Sequence, residues 1–285
     1  MEIVYNSESL IYPGNNIENP SRLEGISRIG HLVNVPIDEN ILELVHSRRY
    51  IEKIKRTCKY KQQIAEIPTN KFTFEAALAA AATSLYAAKS GDFAAIRPPG
   101  HHASSETAAG FCLFNNMAIA AQSLVEEGKR VCIMDIDGHH GDGTERIFYK
   151  DNRVLFWSVY QSFKKCSLTS KDLIQLRRGE KEGKGFTYNC PMEEGDGDDK
   201  LLEETEALIR VIKDFNPDAI GISAGFDGHY KDPLLNLNFT RQGYHRFGEL
   251  IGSLELKTFG VLEGGYHSDV VDCIEKLVSG INNRN

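Results

Sequence analysis

Residues 133–143 read "IMDIDGHHGDG" and place Asp135, Asp137, His139, His140 and Asp142 close together, behind an apolar run and among glycines. Carboxylates and imidazoles at this density are proton carriers and metal ligands rather than packing groups. Side chains at i and i+2 of an extended strand face the same side, so Asp137 and His139 can both point at one ion. Asp227, in "SAGFDGHY", leaves a separate apolar run after Ala224-Gly225 and is the natural third ligand. Two carboxylates and one imidazole leave a coordination position open for water or substrate. Zinc is the expected ion, and so oxygen-rich a set would also accept Fe(II), Co(II) or Mn(II).

A second histidine pair, His101-His102, lies in "RPPGHH". Asp135 and Asp142 remain once the three ligands are assigned, and an Asp that accepts a bond from Nδ1–H fixes a histidine's tautomer and raises its basicity. The expected dyads are Asp135 with His101 and Asp142 with His102, one histidine acting as general base and later as general acid. Tyr266, in "LEGGYH", offers a phenolic hydrogen bond to a developing oxyanion, with Gly264 and Gly265 bringing its backbone close. His46 and His245 fall in helical patterns and read as packing residues. His229 and His267 adjoin these motifs without an assigned role, and His140 reads as a support behind the site.

These groups need a frame that brings them together. Short β-branched or aromatic runs occur at 2–5, 93–97, 130–137, 153–160, 218–224 and 258–264. Helical patterns lie between them, at about 20–34, 38–57, 73–90, 115–128, 199–214, 240–254 and 268–281. The alternation predicts an α/β fold: one domain over 1–285, with a mainly parallel sheet of about eight strands and helices on both faces. Ligands of such sheets bind beyond the carboxyl ends of the strands. Four of the runs end there in "RPPGHH", "DIDGHHGDG", "AGFDGHYKDP" and "EGGYH". Residues 161–198 lack periodicity and read as a long loop with at most short elements.

The formal net charge of −7 argues against a general nucleic-acid binder. The basic stretch 171–186 reads as a solvated loop. None of the six cysteines forms a CxxC pair, which disfavours a sulfur-based zinc site and fits a reducing compartment. The amino terminus has no signal-peptide pattern, and the Ala-rich run 76–88 is too short to span a membrane. A cytoplasmic location without membrane association follows as the expectation.

"RPPGHHA", "GFCLFNN", "IMDIDGHHGDGTERIF", "SAGFDGHYKDPL" and "EGGY" together resemble the histone deacetylase superfamily, zinc-dependent deacetylases with the arginase-like fold. "ENPSRL" and "LELVHSRRYI" are similar to its amino-terminal segments. The resemblance implies a metal set of Asp137, His139 and Asp227. It implies His102 as the main general base and acid, with His101 tuning the electrostatics, and Tyr266 polarising the acetyl carbonyl. Gly110 and Phe111 match the walls of the acyl-lysine channel, and Arg22 matches an arginine near the internal acetate pocket. The family's structural potassium would use Asp137, the Ser158 hydroxyl and the carbonyls of Asp135, His139 and Val159. A second monovalent site would use carbonyls near Phe148, Asp151 and Val154.

The chain departs from the family pattern at its rim. Ser158-Val159-Tyr160 stands where many relatives have Ser-x-His, and Asn16-Ile17-Glu18 where many have His-Pro-Glu. The Pro-Gly-Thr-Gly loop that supplies one channel wall is missing, leaving Phe163 and Phe186 as candidate replacements. Relatives devoted to polyamines often carry a glutamate after the Asp-Pro of the third metal motif; here Leu234 follows Asp232-Pro233. The resemblance therefore implies deacetylation of acetyl-lysine in proteins or peptides, with small amines such as acetylpolyamines as the alternative. A two-metal arginase-type hydrolase is disfavoured by His229 in place of a second Asp, and a silent acyl-lysine reader by Tyr266 and both histidine pairs.

Overall fold

The computed structural model describes residues 1–162 and 178–283. Its centre is an eight-stranded sheet in which every pairing is parallel. The strands are β1 (Ile3–Tyr5), β2 (His31–Leu32), β5 (Phe93–Ala94), β6 (Val131–Asp135), β7 (Val154–Gln161), β8 (Thr187–Met192), β9 (Ala219–Ala224) and β10 (Lys257–Leu262). A separate antiparallel hairpin joins β3 (Gln63–Ile64) to β4 (Ile67–Pro68). The order across the sheet is β2-β1-β5-β10-β9-β6-β7-β8.

Apart from Tyr5 and Lys257 at strand ends, the inner strands are buried because helices cover both faces. Alternate residues divide between two cores. Cys132, Met134, Leu155 and Trp157 face one side, against Leu202 and Leu208 of α5 (Asp198–Phe215), Phe247 of α6 (Arg241–Gly252) and Ile274 of α7 (Val270–Asn282). Val131, Ile133, Val154 and Phe156 face the other, against the alanines of α2 (Thr73–Ser90) and α3 (Asn116–Val125). The short α4 (Asp142–Phe148) leads from the end of β6 back towards β7. No helix among the described residues is long and apolar enough to cross a membrane.

Three sequence expectations need correction. The helix expected over 20–34 is instead two 3-10 turns, Pro20–Leu23 and Ile26–Arg28, followed by β2. Gly25, at φ +87°, breaks the helical path between the turns. The helix expected over 38–57 is a 3-10 turn, Glu39–Leu44, then α1 (Arg48–Lys59), which starts where the Ser47 side chain accepts from the Tyr50 N–H. Between the two, His46 turns inward and its Nε2 accepts from the Asn115 N–H at 2.9 Å. The stretch 161–198 contains β8, an edge strand with mixed burial and Pro191, so it shows no clean alternation.

Candidate active site

The strands β5, β10, β9 and β6 are neighbours in the sheet, and their carboxyl ends carry the four polar clusters. Asp137, His139 and Asp227 meet there with ligand atoms within 4.8 Å of one another. His139 Nδ1 lies 2.6 Å from Asp227 Oδ2 and 3.4 Å from Asp137 Oδ1. Both carboxylates are buried and take backbone N–H groups, Gly138 on Asp227 at 2.6 Å and Gly264 on Asp137 at 2.7 Å. A side chain at Gly264 would run into both carboxylates, so only glycine lets this strand end approach them.

Burial and the neighbouring Asp137 push Asp227 up to about 6. Burial opposes charge on His139, yet Asp227 and Asp137 raise it to about 10. A divalent cation resolves both tensions, because it neutralises the paired carboxylates and takes the imidazole lone pair in place of a proton. The donor set therefore fits such an ion. A second cluster, His101, Cys112 and Glu263, also converges. Its donors are already engaged: Glu263 by the N–H groups of Gly100 and His101, His101 by Asp135, and the Cys112 thiol by the Gly110 carbonyl.

The two adjacent histidines have ring centroids 4.0 Å apart. His101 Nδ1 is 3.1 Å from Asp135 Oδ2, and His102 Nδ1 is 2.9 Å from Asp142 Oδ1. Burial works against charge on His101, but Asp137 and Asp135 hold it well above its ordinary value. Burial and the charge of His101 pull His102 down to about 4. Burial acts on Asp142 in the opposite sense, but the His102 hydrogen bond keeps it below the usual carboxylate range. The surroundings therefore drive the two adjacent imidazoles in opposite directions, His101 up and His102 down.

A cavity of about 170 Å³ opens onto these groups, lined also by Gly110, Phe111, Leu234 and Tyr266. A side chain at Gly110 would strike the His102 ring. Phe111 sits at φ +67°, in the left-handed region, and its N–H is held by the Ala65 carbonyl at 3.1 Å. Its ring meets that of Tyr266 edge-on, with centroids 5.7 Å apart. On the far side of Tyr266 the Arg22 guanidinium lies 4.7 Å from the ring centroid. Arg22 is buried and donates to the Gly265 carbonyl, the Glu263 carbonyl and Glu18. Glu18 also accepts from Arg97, closing a buried ionic network behind the tyrosine.

Asp135 and Ser158 are register partners on β6 and β7, and Val159 follows Ser158; Phe148 ends α4, Val154 opens β7 and Asp151 lies in the connection between them. The Asp151 N–H occupies the Phe148 carbonyl at 3.0 Å. His140 Nε2 lies 2.6 Å from Glu145 and 3.0 Å from Asn189 of β8, behind the turn that carries His139. Phe186 packs against Phe215, away from the cavity, and Phe163 lies outside the described residues.

Three residues of the site had no reading in the sequence. Glu263 precedes the Gly-Gly of "LEGGYH" and fixes the backbone of His101. Asp232 in "YKDPL" accepts from the Tyr266 N–H. Glu66 lines the mouth of the cavity from the tip of the β3–β4 hairpin, where it and Ala65 both have positive φ. Glu263 and Asp232 sit inside motifs already singled out. Glu66 carries no local signal, because its place depends on the hairpin's docking.

Residues 16–281 match the histone deacetylase domain model. The chain belongs to the histone deacetylase family. It is 37% identical over 276 residues to histone deacetylase 5 of Arabidopsis thaliana, covering 88% of this chain and 42% of that protein. It is 38% identical over 214 residues to the acetylpolyamine amidohydrolase of Burkholderia pseudomallei, covering 72% of this chain and 62% of that protein. The fold matches a crystal structure of acetylpolyamine aminohydrolase from Burkholderia pseudomallei at TM-score 0.85 and 27% identity, covering 99% of both chains. The chain thus spans less than two thirds of the length of the two curated family members compared. Within the family, relatives named for histones and for polyamines are about equally similar to it.

Proposed function

We propose that the whole chain, 1–285, is one catalytic unit that hydrolyses the acetyl amide of acetyl-lysine in proteins or peptides. The observation that carries this reading is the adjacent His101 and His102, each with a carboxylate on Nδ1, lining one narrow cavity with the Asp137–His139–Asp227 ligand set. When bound by these three residues, a zinc ion supplies Lewis acidity to the acyl oxygen and the attacking water; Fe(II) or Co(II) suits the same donors. Asp142 occupies Nδ1 of His102, which leaves Nε2 to take a proton from the water and return it to the departing amine. His101, with Asp135 3.1 Å from Nδ1 and Asp137 3.7 Å from Nε2, stabilises in its protonated form the negative charge that develops nearby. The Tyr266 hydroxyl donates to the acyl oxygen as its C=O bond opens. The water oxygen forms the new C–O bond as that C=O bond opens, and the C–N bond then breaks as the amine takes the proton from His102, giving acetate and the free amine. Potassium at Asp135, Asp137, His139, Ser158 and Val159, and a second ion at Phe148, Asp151 and Val154, belong to the same reading, as does acetate release past Arg22.

Leu234 at the mouth supports acetyl-lysine, since an apolar wall suits the methylene stem of lysine. Glu66, exposed at the same mouth, favours a second reading in which a polyamine's free ammonium groups are held there. A substrate panel separates the two: acetyl-lysine peptides against acetylspermidine, with protein loaded with Zn(II), Fe(II) or Co(II). The first reading expects the higher kcat/KM on the peptides. A preference for acetylspermidine establishes the second, and no acetate from either substrate overturns both.

A further inference from the structure

The loop that carries Tyr266 is tied to the loop that carries Asp227 at several points. The Phe226 N–H donates to the Gly264 carbonyl at 3.1 Å. The His267 Nε2–H donates to the Phe226 carbonyl at 2.9 Å, a tautomer set by the Asp269 N–H donating to Nδ1 at 3.2 Å. His229 stacks flat on His267, with centroids 4.4 Å apart and planes 15° off parallel. Lys231 pairs with Asp269 at 2.8 Å. Of all these ties, a single side chain reaches the backbone of Tyr266 itself. Asp232, nearly buried, accepts the Tyr266 N–H on Oδ2 at 2.7 Å and the Leu234 N–H on Oδ1 at 2.9 Å.

We propose that Asp232 is a positioning residue for Tyr266, its carboxylate setting the tyrosine and the Leu234 wall of the cavity in one fixed relation. Burial and Asp227 push the Asp232 carboxyl up to about 7, and the two N–H groups it accepts oppose that rise. The two oxygens together define a direction that a single acceptor would not. The His229–His267 stack supports the same junction from below, and this gives both histidines a place. An error of about 1 Å in a group that acts on the transition state costs on the order of 10²-fold in rate, so a junction of this kind governs turnover without touching substrate.

The proposal rests on the reading of Tyr266 as the group that polarises the acyl oxygen, and its test has one arm independent of activity. Asp232→Asn keeps an acceptor for one N–H and turns an NH₂ towards the other; Asp232→Ala removes both acceptors. Amide hydrogen exchange on the zinc-loaded protein should quicken in residues 263–269 in either variant, with the strands of the sheet unchanged. The kcat on an acetyl-lysine peptide should fall by about tenfold or more with zinc content retained, and in a Tyr266→Phe background Asp232→Asn should change kcat by less than about twofold. Unchanged exchange in 263–269 overturns the proposal, as does an equal loss of kcat in both backgrounds. If the unsubstituted protein releases no acetate, the functional reading fails, and the exchange arm still decides whether Asp232 holds Tyr266.

Discussion

His101–His102 and His229–His267 are both pairs of imidazoles in close contact, and their surroundings separate them. His101 and His102 are adjacent in the chain, and each has a carboxylate on Nδ1. His229 and His267 come from different loops, and the partners of their ring nitrogens are backbone groups: the Lys231 N–H, the Phe226 carbonyl and the Asp269 N–H. His229 Nε2 is buried without a partner. Burial pulls His229 to about 4 and lowers His267, so both rings of this pair are neutral at neutral pH. In the first pair, against burial, Asp137 and Asp135 raise His101, while burial and the charge of His101 lower His102 against the pull of Asp142. Two imidazoles in contact are therefore not enough for proton transfer; carboxylates, burial and the neighbouring charge together assign the roles.

The contrast breaks most sharply at His102. His102→Ala should keep zinc and lose on the order of 10²- to 10⁴-fold in kcat, measured as acetate release; retained turnover would show that the carboxylate-backed pair does not move the proton. A third buried histidine tests the backbone-partnered kind. His46 stands at about 4 in the fold against an ordinary value of 6.5. Between those values the unfolded chain binds a proton that the folded chain refuses, so stability is fullest above pH 6.5 and falls as the pH drops towards 4. This group alone should cost about 2 kcal/mol between pH 7 and pH 5, and urea titrations of His46→Gln should show a correspondingly flatter decline. The smallest effect is expected at His229. His229→Phe keeps a ring for the stack and removes the unpartnered buried nitrogen, so stability should stay within about 1 kcal/mol, and turnover should be retained. A large loss of kcat there would erase the distinction between the pairs.

The site residues taken from the motifs converge on one cavity because they are anchored to strand ends. Asp137 and His139 share a side of the chain leaving β6, as i and i+2 spacing requires. The errors fall where no such anchor exists. Leu23 and Ile26 have helical spacing, but Gly25 and a buried, ion-paired Arg22 turn that segment into 3-10 turns. Thr187–Met192 pairs on one edge only, so no burial pattern announced a strand. Glu66 reaches the cavity mouth through a hairpin of two-residue strands docked on Phe111, a contact set by partners distant in sequence.

What the sequence determined by itself is local: residue types able to hold an ion and carry a proton, their spacing on extended chain, and the alternation that makes an α/β sheet. The tertiary structure alone decided that β5, β10, β9 and β6 lie side by side, bringing "RPPGHH", "EGGYH", "AGFDGHYKDP" and "DIDGHHGDG" to one place. Buried parallel strands are nearly interchangeable as apolar runs, and the hydrogen-bond ladder that orders them joins backbone groups that every residue but proline offers alike. The order comes from which helix faces pack on which side of the sheet. The same packing brings Asp232 to the backbone of Tyr266, a contact that neither residue's own neighbourhood in the sequence reveals.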